Sequence, residues 1–203
     1  MLRYAALEPG EGKCMDASAA SGDLEALLRV TSPTYVGESA PDIAFGTHET
    51  PAGLLVLAVT ARGVIAATFD DEHAVYERIY REVGSFIGHD PKRLDPLKRE
   101  IDAYFERRLR TFTLPFDLRL ATPFARSVLQ MITSVPYGTT TTYAEVAARI
   151  GRPQALRAVA NAVTENPVCL LVPCHRVVEG PGSPGAYAGG KAAKELLLTM
   201  EIA

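Results

Sequence analysis

The chain has 203 residues, enough for one large domain or two small ones with cores of their own, and 47% apolar and 22% charged residues are ordinary for a globular protein. A net charge of −3 argues against a surface that is basic throughout and binds polyanions anywhere. No run of about 20 apolar residues offers a membrane span, and Met1–Gly10 lacks the apolar stretch of a secretory leader, so a cytoplasmic protein is expected.

Residues 1–41, in which Gly, Ser, Ala and Pro are frequent, read as an N-terminal extension of uncertain order; only Asp23–Val30 has the makings of a helical turn. From Asp42 the texture changes. Asp42–Phe45 reads as a strand and Thr50–Gly53 as a turn, and Leu54–Thr60 with Val64–Phe69 forms a β-hairpin across Ala61-Arg62-Gly63. Asp70 and Asp71 offer an N-cap for a helix through about Val83. A second amphipathic helix is predicted over Leu94–Arg108, with Leu97, Ile101, Tyr104 and Phe105 on one face, followed by a short extended segment, Phe112–Leu118. Residues 42–118 thus predict a small α/β domain with an antiparallel sheet and no visible catalytic constellation.

Residues 119–203 read as mostly helical. From residue 120 onward there are seven basic and five acidic residues and no Asp, so a DNA partner, if there is one, meets this part. Thr122 caps a helix with Phe124, Val128, Leu129 and Ile132 inward, and Pro136-Tyr137-Gly138 ends it. Thr142 caps a helix from Tyr143 to Ile150, Gly151-Arg152-Pro153 turns the chain, and Gln154–Val163 is helical again. Two short helices across a Gly-containing turn make a helix-turn-helix. The expected class is therefore α+β: the small N-terminal α/β domain, then a helical C-terminal domain carrying a winged-type helix-turn-helix.

The three cysteines are Cys14, Cys169 and Cys174. An odd number without a leader argues against a disulfide framework, and no CxxC or HxxxH spacing suggests a metal site. Cys14 and Cys169 read as small inert hydrophobes. Cys174 differs: Leu170-Leu171-Val172-Pro173 leads an apolar segment into a thiol followed by His175 and Arg176. The thiolate is the reactive form; His175 can accept its proton, and Arg176 can favour the anion or fix the loop. The apolar lead-in predicts a buried thiol reached through a pocket. On chemistry alone an activated nucleophile and an inert thiol stand about even.

Pro173-Cys174-His175-Arg176-Val177 resembles the active-site motif of the O6-alkylguanine-DNA alkyltransferases, and the likeness extends over residues 42–203. Pro136-Tyr137-Gly138 with Thr142-Tyr143 is similar to that family's approach to the helix-turn-helix. The resemblance implies that Tyr143 helps rotate the target nucleotide and donates to the departing guanine, that Arg157 fills the space of the flipped base, and that Asn166 is the hinge before the active-site loop. Tyr187-Ala188-Gly189 is similar to the loop closing over the base, with Pro173 and Val177 completing the pocket. Glu201 matches the acid that orients the histidine, which implies a Cys174–His175–Glu201 relay with a water between thiol and ring. Thr142 and Arg176 join Tyr143 and Arg157 as expected DNA contacts.

The implied activity is single-turnover transfer of the alkyl group from O6-alkylguanine in double-stranded DNA to Cys174, by a monomer, without cofactor or metal. Ala125 and Leu129 stand where the family usually has Gln and Trp, Ala188 stands where Ser or Gly is common, and Glu165 places a negative charge near the expected DNA face. Two alternatives compete: a non-enzymatic helix-turn-helix protein that binds alkylated DNA or regulates transcription, and a cysteine hydrolase using Cys174 and His175.

Overall fold

The computed structural model describes residues 40–84, 86–180 and 182–202, and Ala40–Ala203 forms one compact unit. Cys14 and the expected turn at Asp23–Val30 lie outside the described residues.

The first half is a sheet between two helices. Strands β1 (Ile43–Thr50), β2 (Gly53–Thr60) and β3 (Gly63–Thr68) form an antiparallel meander, to which β4 (Ile87–Gly88) adds a parallel edge beside β1, giving the order β3-β2-β1-β4. The first strand is longer than the predicted Asp42–Phe45: it runs to the Thr50–Gly53 turn because its C-terminal half pairs fully with β2. Alternation sends Ile43, Phe45, Val56 and Ala58 to one face and Ala44, Leu55 and Leu57 to the other.

Helix α1 (Glu72–Val83), capped by Asp71, covers the first face with Val75 and Ile79. Helix α2 (Pro91–Phe105) covers the second with Leu94, Leu97 and Ile101. It starts three residues before the predicted Leu94 because Asp90 caps it and Pro91 occupies the first turn, where a missing N–H costs nothing. Its end precedes the predicted Arg108, since Arg107 is left-handed at φ 59°.

The second half packs α3 (Pro123–Ile132), α4 (Tyr143–Arg149), α5 (Leu156–Thr164) and α6 (Gly190–Ile202) with a two-stranded parallel ladder of β5 (Thr141–Thr142) and β6 (Val177–Val178), which the sequence did not announce. Thr122 caps α3 as expected; Ala125, rather than the half-buried Phe124, joins Val128, Leu129 and Ile132 in the core. Thr142 and Glu145 close a capping box on α4. Helix α5 begins two residues after the predicted Gln154.

One apolar core on the α2 side of the sheet continues without a break through α3, α4, α5 and α6. Edge strand β3 ties the halves together. Ala67 N–H donates to Pro167 O (2.8 Å), and Cys169 N–H donates to Ala67 O (2.7 Å), so the stretch before the Cys174 motif is pinned to the sheet. Among the described residues no helix is long and apolar enough to cross a membrane.

Candidate active site

The loop after α5 is shaped by one side chain. Asn166 is buried; its Oδ1 accepts from Val168 N–H, and its Nδ2 donates to Val172 O and to Cys174 Sγ, each at 3.0 Å. Between these anchors Leu170 takes a left-handed conformation (φ 71°), which turns the chain back on itself. A 3-10 turn, Cys174–Arg176, follows; its His175 and Arg176 side chains both reach Glu201, and Cys174 meets Asn166. Pro173 and Val177 flank it, buried.

Cys174 is 1% exposed. A hydrogen bond from the Cys169 thiol, opposed by burial and aided by the Asn166 amide and the nearby Lys194 ammonium, holds the Cys174 thiol below the ordinary thiol range. Cys169, read from the sequence as inert, lies with its sulfur 3.8 Å from that of Cys174.

His175 is fully buried. Its Nε2 lies 2.9 Å from Glu201 Oε1 and 3.3 Å from the Tyr104 hydroxyl, and its Nδ1 is buried with no partner among the described residues. A carboxylate can only accept, so Nε2 carries the hydrogen and Nδ1 the lone pair. Burial pushes the imidazole below the usual histidine range, against the pull of Glu201, so it is neutral near pH 7.

Glu201 anchors the group. Burial alone would raise its carboxyl; hydrogen bonds from His175 and Arg176 and the charge around them hold it well below the usual range instead. Arg176 corrects an expectation. Expected at DNA, it is buried, donates to both Glu201 oxygens (2.9 Å each) and to Val135 O (2.7 Å), and stacks on Tyr137. Its guanidinium is used up inside the protein, which leaves the loop-fixing role. Gly138 N–H also donates to Glu201 (3.0 Å); at φ 73°, and with a Cβ that would lie 3.0 Å from Glu201 O, only glycine suits that position.

Two participants were missed in the sequence. Tyr104, on α2, donates to Glu201 Oε1 at 2.6 Å, so the first half does contribute to the site. Its place on the apolar stripe of α2 was visible, but the partner of its hydroxyl, 97 residues away, was not. Lys194 on α6 is fully buried, donates to Val177 O (2.7 Å) and Ala186 O (3.0 Å), and has a pKa lowered by burial to about 8. Its spacing from Leu197 and Glu201 put it on the inward face of α6, and that signal could have found it.

Tyr143 is half-buried at the start of α4. Burial, then Glu179 and Cys174, raise its hydroxyl pKa, so it stays protonated. It packs so closely on Gly185 that a Cβ there would lie 2.9 Å from its oxygen. Tyr187 is buried with its hydroxyl unpartnered among the described residues, edge-on to His175 and packed on Phe69; Ala188 is half-buried, and Gly189 sits against the same Phe69 ring. Arg157, in the first turn of α5, is exposed and makes no ion pair among the described residues. Thr142 spends its hydroxyl on Glu145 N–H and its own N–H on the Glu145 carboxylate, so it sets the start of α4.

The expected pocket is not open at the sulfur. A cavity of about 670 Å³ is lined by Thr139–Thr142, Val178 and the C-terminal end of α6, and Cys174 is not among its walls. A second, of about 430 Å³, is lined by residues 182–187 and Lys191. No group of three or more His, Cys, Asp or Glu side chains among the described residues is placed to hold a metal.

Residues 123–203 match the family model described as 6-O-methylguanine DNA methyltransferase, DNA binding domain, and residues 43–118 match that of its ribonuclease-like domain. The chain is 33% identical over 159 residues to a methylated-DNA–protein-cysteine methyltransferase of Mycolicibacterium paratuberculosis, covering 78% of this chain and 92% of the relative. It is 43% identical over 106 residues to the protein of that name from Methanosarcina barkeri, covering 51% of this chain and 65% of the relative's length. Among solved structures, Mycobacterium tuberculosis O6-methylguanine methyltransferase superposes with a TM-score of 0.68 at 31% identity, covering 79% of this chain and 93% of the other.

Proposed function

The chain belongs to the 6-O-methylguanine DNA methyltransferase family, and from that membership and the site geometry we propose that it removes the alkyl group from O6-alkylguanine in double-stranded DNA and keeps it on Cys174. The observation that carries this reading is the Cys174 sulfur: its pKa is held below the ordinary thiol range, it accepts from the Asn166 amide at 3.0 Å, and it stands next in the chain to an imidazole whose Nδ1 has no partner among the described residues.

The chemistry follows from the residues. The target base leaves the stack at a cost of a few kcal/mol, less for a poorly paired lesion. Arg157, exposed on α5 and without an ion pair among the described residues, occupies the vacated space. Residues 182–189 move aside to admit the base, and Tyr187, Ala188 and Gly189 then line it with Pro173 and Val177. The proton of Cys174 passes through one water to Nδ1 of His175, whose Nε2–H is held by Glu201. The thiolate attacks the alkyl carbon in line, the carbon–O6 bond breaks, and the departing guanine takes a proton or hydrogen bond from Tyr143, whose raised pKa keeps the proton available.

The product thioether has no good leaving group, so each molecule acts once. The chain's own sulfur is both nucleophile and final acceptor, so the step needs no metal or organic cofactor. We read the protein as a monomer at work in the cytoplasm, with residues 42–118 as a supporting domain that contributes Tyr104 and residues 119–203 as the DNA-binding and acceptor domain. The ladder of β5 and β6 and the segment after it would form the wing. A binding-only protein has no use for an activated thiol in this setting, and nothing in the site favours a hydrolase.

The test is intact-protein and peptide mass spectrometry after incubation with duplex DNA containing O6-methylguanine. A gain of one methyl on the Cys174 peptide, stopping at one per protein and absent in Cys174→Ser, is expected. Unmodified protein that nonetheless binds the lesion would establish the binding-only alternative.

A further inference from the structure

Two sulfurs occupy the reaction centre. Cys169 Sγ lies 3.8 Å from Cys174 Sγ, both residues are buried, and both are free thiols. The separation is set by the main chain: Cys169 N–H is bound to Ala67 O of β3, Leu171 N–H returns to Cys169 O (3.0 Å), and Cys174 N–H is bound to Val172 O (2.8 Å). Leu170, left-handed at φ 71°, folds the intervening residues back so that the two side chains meet. The pair is also unequal. Cys174 is held below the ordinary thiol range, whereas its neighbour and burial together push Cys169 well above it. One sulfur is therefore the nucleophile, and the other carries a proton beside it.

We propose that Cys169 is a resolving thiol: hydrogen peroxide converts Cys169 and Cys174 into an intramolecular disulfide that caps the acceptor sulfur reversibly. In the first step the Cys174 thiolate attacks one peroxide oxygen, the O–O bond breaks, and hydroxide leaves as water on taking a proton; Cys174, oxidised by two electrons, is a sulfenic acid. In the second step the Cys169 sulfur attacks the Cys174 sulfur, the S–O bond breaks, and the hydroxide departs as a second water with the Cys169 proton. The sum is two thiols and one peroxide giving one disulfide and two waters.

A disulfide needs about 2.05 Å between sulfurs, so the pair closes by roughly 1.8 Å. Peroxide is far smaller than a purine, so an opening that admits a base admits it. Without a second thiol the sulfenic acid goes on to sulfinic acid, which is irreversible and would end the molecule's use before it met a lesion. The disulfide itself rests on the sulfur geometry alone; its effect on alkyl transfer rests on the function proposed above.

The full chain, reduced, is exposed to graded hydrogen peroxide, blocked with iodoacetamide and digested with trypsin without reduction. Both cysteines fall on the peptide Ala158–Arg176. The expected species is that peptide two hydrogens lighter and unalkylated, returning to the doubly alkylated form after dithiothreitol, with methyl transfer lost and regained in parallel. In Cys169→Ala the lighter species is absent, Cys174 accumulates as sulfinic acid, and reductant restores less than a tenth of the transfer. Should that variant fold poorly, the light peptide in the unaltered chain and its reversal still decide the matter.

The proposal is overturned if peroxide takes Cys174 to sulfinic acid in the unaltered chain as readily as in Cys169→Ala, or if the bond forms to Cys14 instead. A light, reversible peptide in a chain that transfers no methyl group even when reduced would sink the repair reading and leave the disulfide standing.

Discussion

Glu201→Gln removes the charge on which the buried site is organised. Both carboxylate oxygens are saturated with donors: Oε1 accepts from Tyr104 (2.6 Å), His175 (2.9 Å) and Arg176 (2.9 Å), and Oε2 accepts from Arg176 Nε (2.9 Å) and Gly138 N–H (3.0 Å). An amide must turn its NH2 toward one of these sets, so either orientation opposes donor to donor. The side chains of Glu201 and Arg176 are only 1% and 8% exposed, and the variant leaves the guanidinium buried without a counter-ion. Breaking a buried pair from one side costs roughly 3–5 kcal/mol, a large share of a typical total of about 5–15 kcal/mol. At about 2–4 °C per kcal/mol for a chain of this size, Tm should fall by roughly 6–20 °C. Urea unfolding at pH 7 and thermal scans measure the loss. Adding Arg176→Met should recover part of it, because the stranded charge is then gone. A loss below about 1 kcal/mol, the value of an exposed pair, or a double variant as poor as the two single losses added, would refute the account of Glu201 as a buried hub.

Tyr104→Phe removes one donor from Glu201 and should cost about 0.5–1.5 kcal/mol; with Glu201 freer to hold the imidazolium, the acid limb of the transfer pH–rate profile should move to higher pH, and an unchanged limb would reduce Tyr104 to packing. Arg157→Ala should slow repair of duplex DNA by roughly tenfold to a hundredfold, about the cost of an unaided base flip, while reaction with the free base O6-methylguanine is unchanged; equal losses on both substrates would remove the space-filling role. Stability should fall on acidification in two stages. His175, whose folded pKa is lowered, binds its proton more readily when unfolded, so stability declines as pH drops below 6.5. Glu201, also lowered in the fold, adds a second loss as pH falls below its unfolded value of 4.5. Unfolding midpoints measured from pH 8 to 3 would show both stages, and a flat profile across that range would contradict the buried relay.

Local chemistry was legible in the sequence wherever neighbouring residues settle it. The caps at Thr122 and Thr142, the β2–β3 hairpin, the α+β class and the thiol at Cys174 with its adjacent imidazole all depend on residues a few positions apart, and the resemblance to the family supplied Asn166 and Glu201. What the sequence could not settle is where side chains meet across the fold. Arg176 read as a DNA contact, Cys169 as an inert hydrophobe and Tyr104 as one residue of an apolar helix face, while Lys194 drew no reading. Each changed its meaning through a partner supplied by another element: Glu201 on α6, Cys174 beyond the Leu170 turn, His175 71 residues from Tyr104, and the carbonyls of Val177 and Ala186. A residue's type and spacing determine what it can donate, accept or carry. Whether it spends that capacity on water or on a buried partner depends on which surfaces the tertiary fold brings together and closes to solvent.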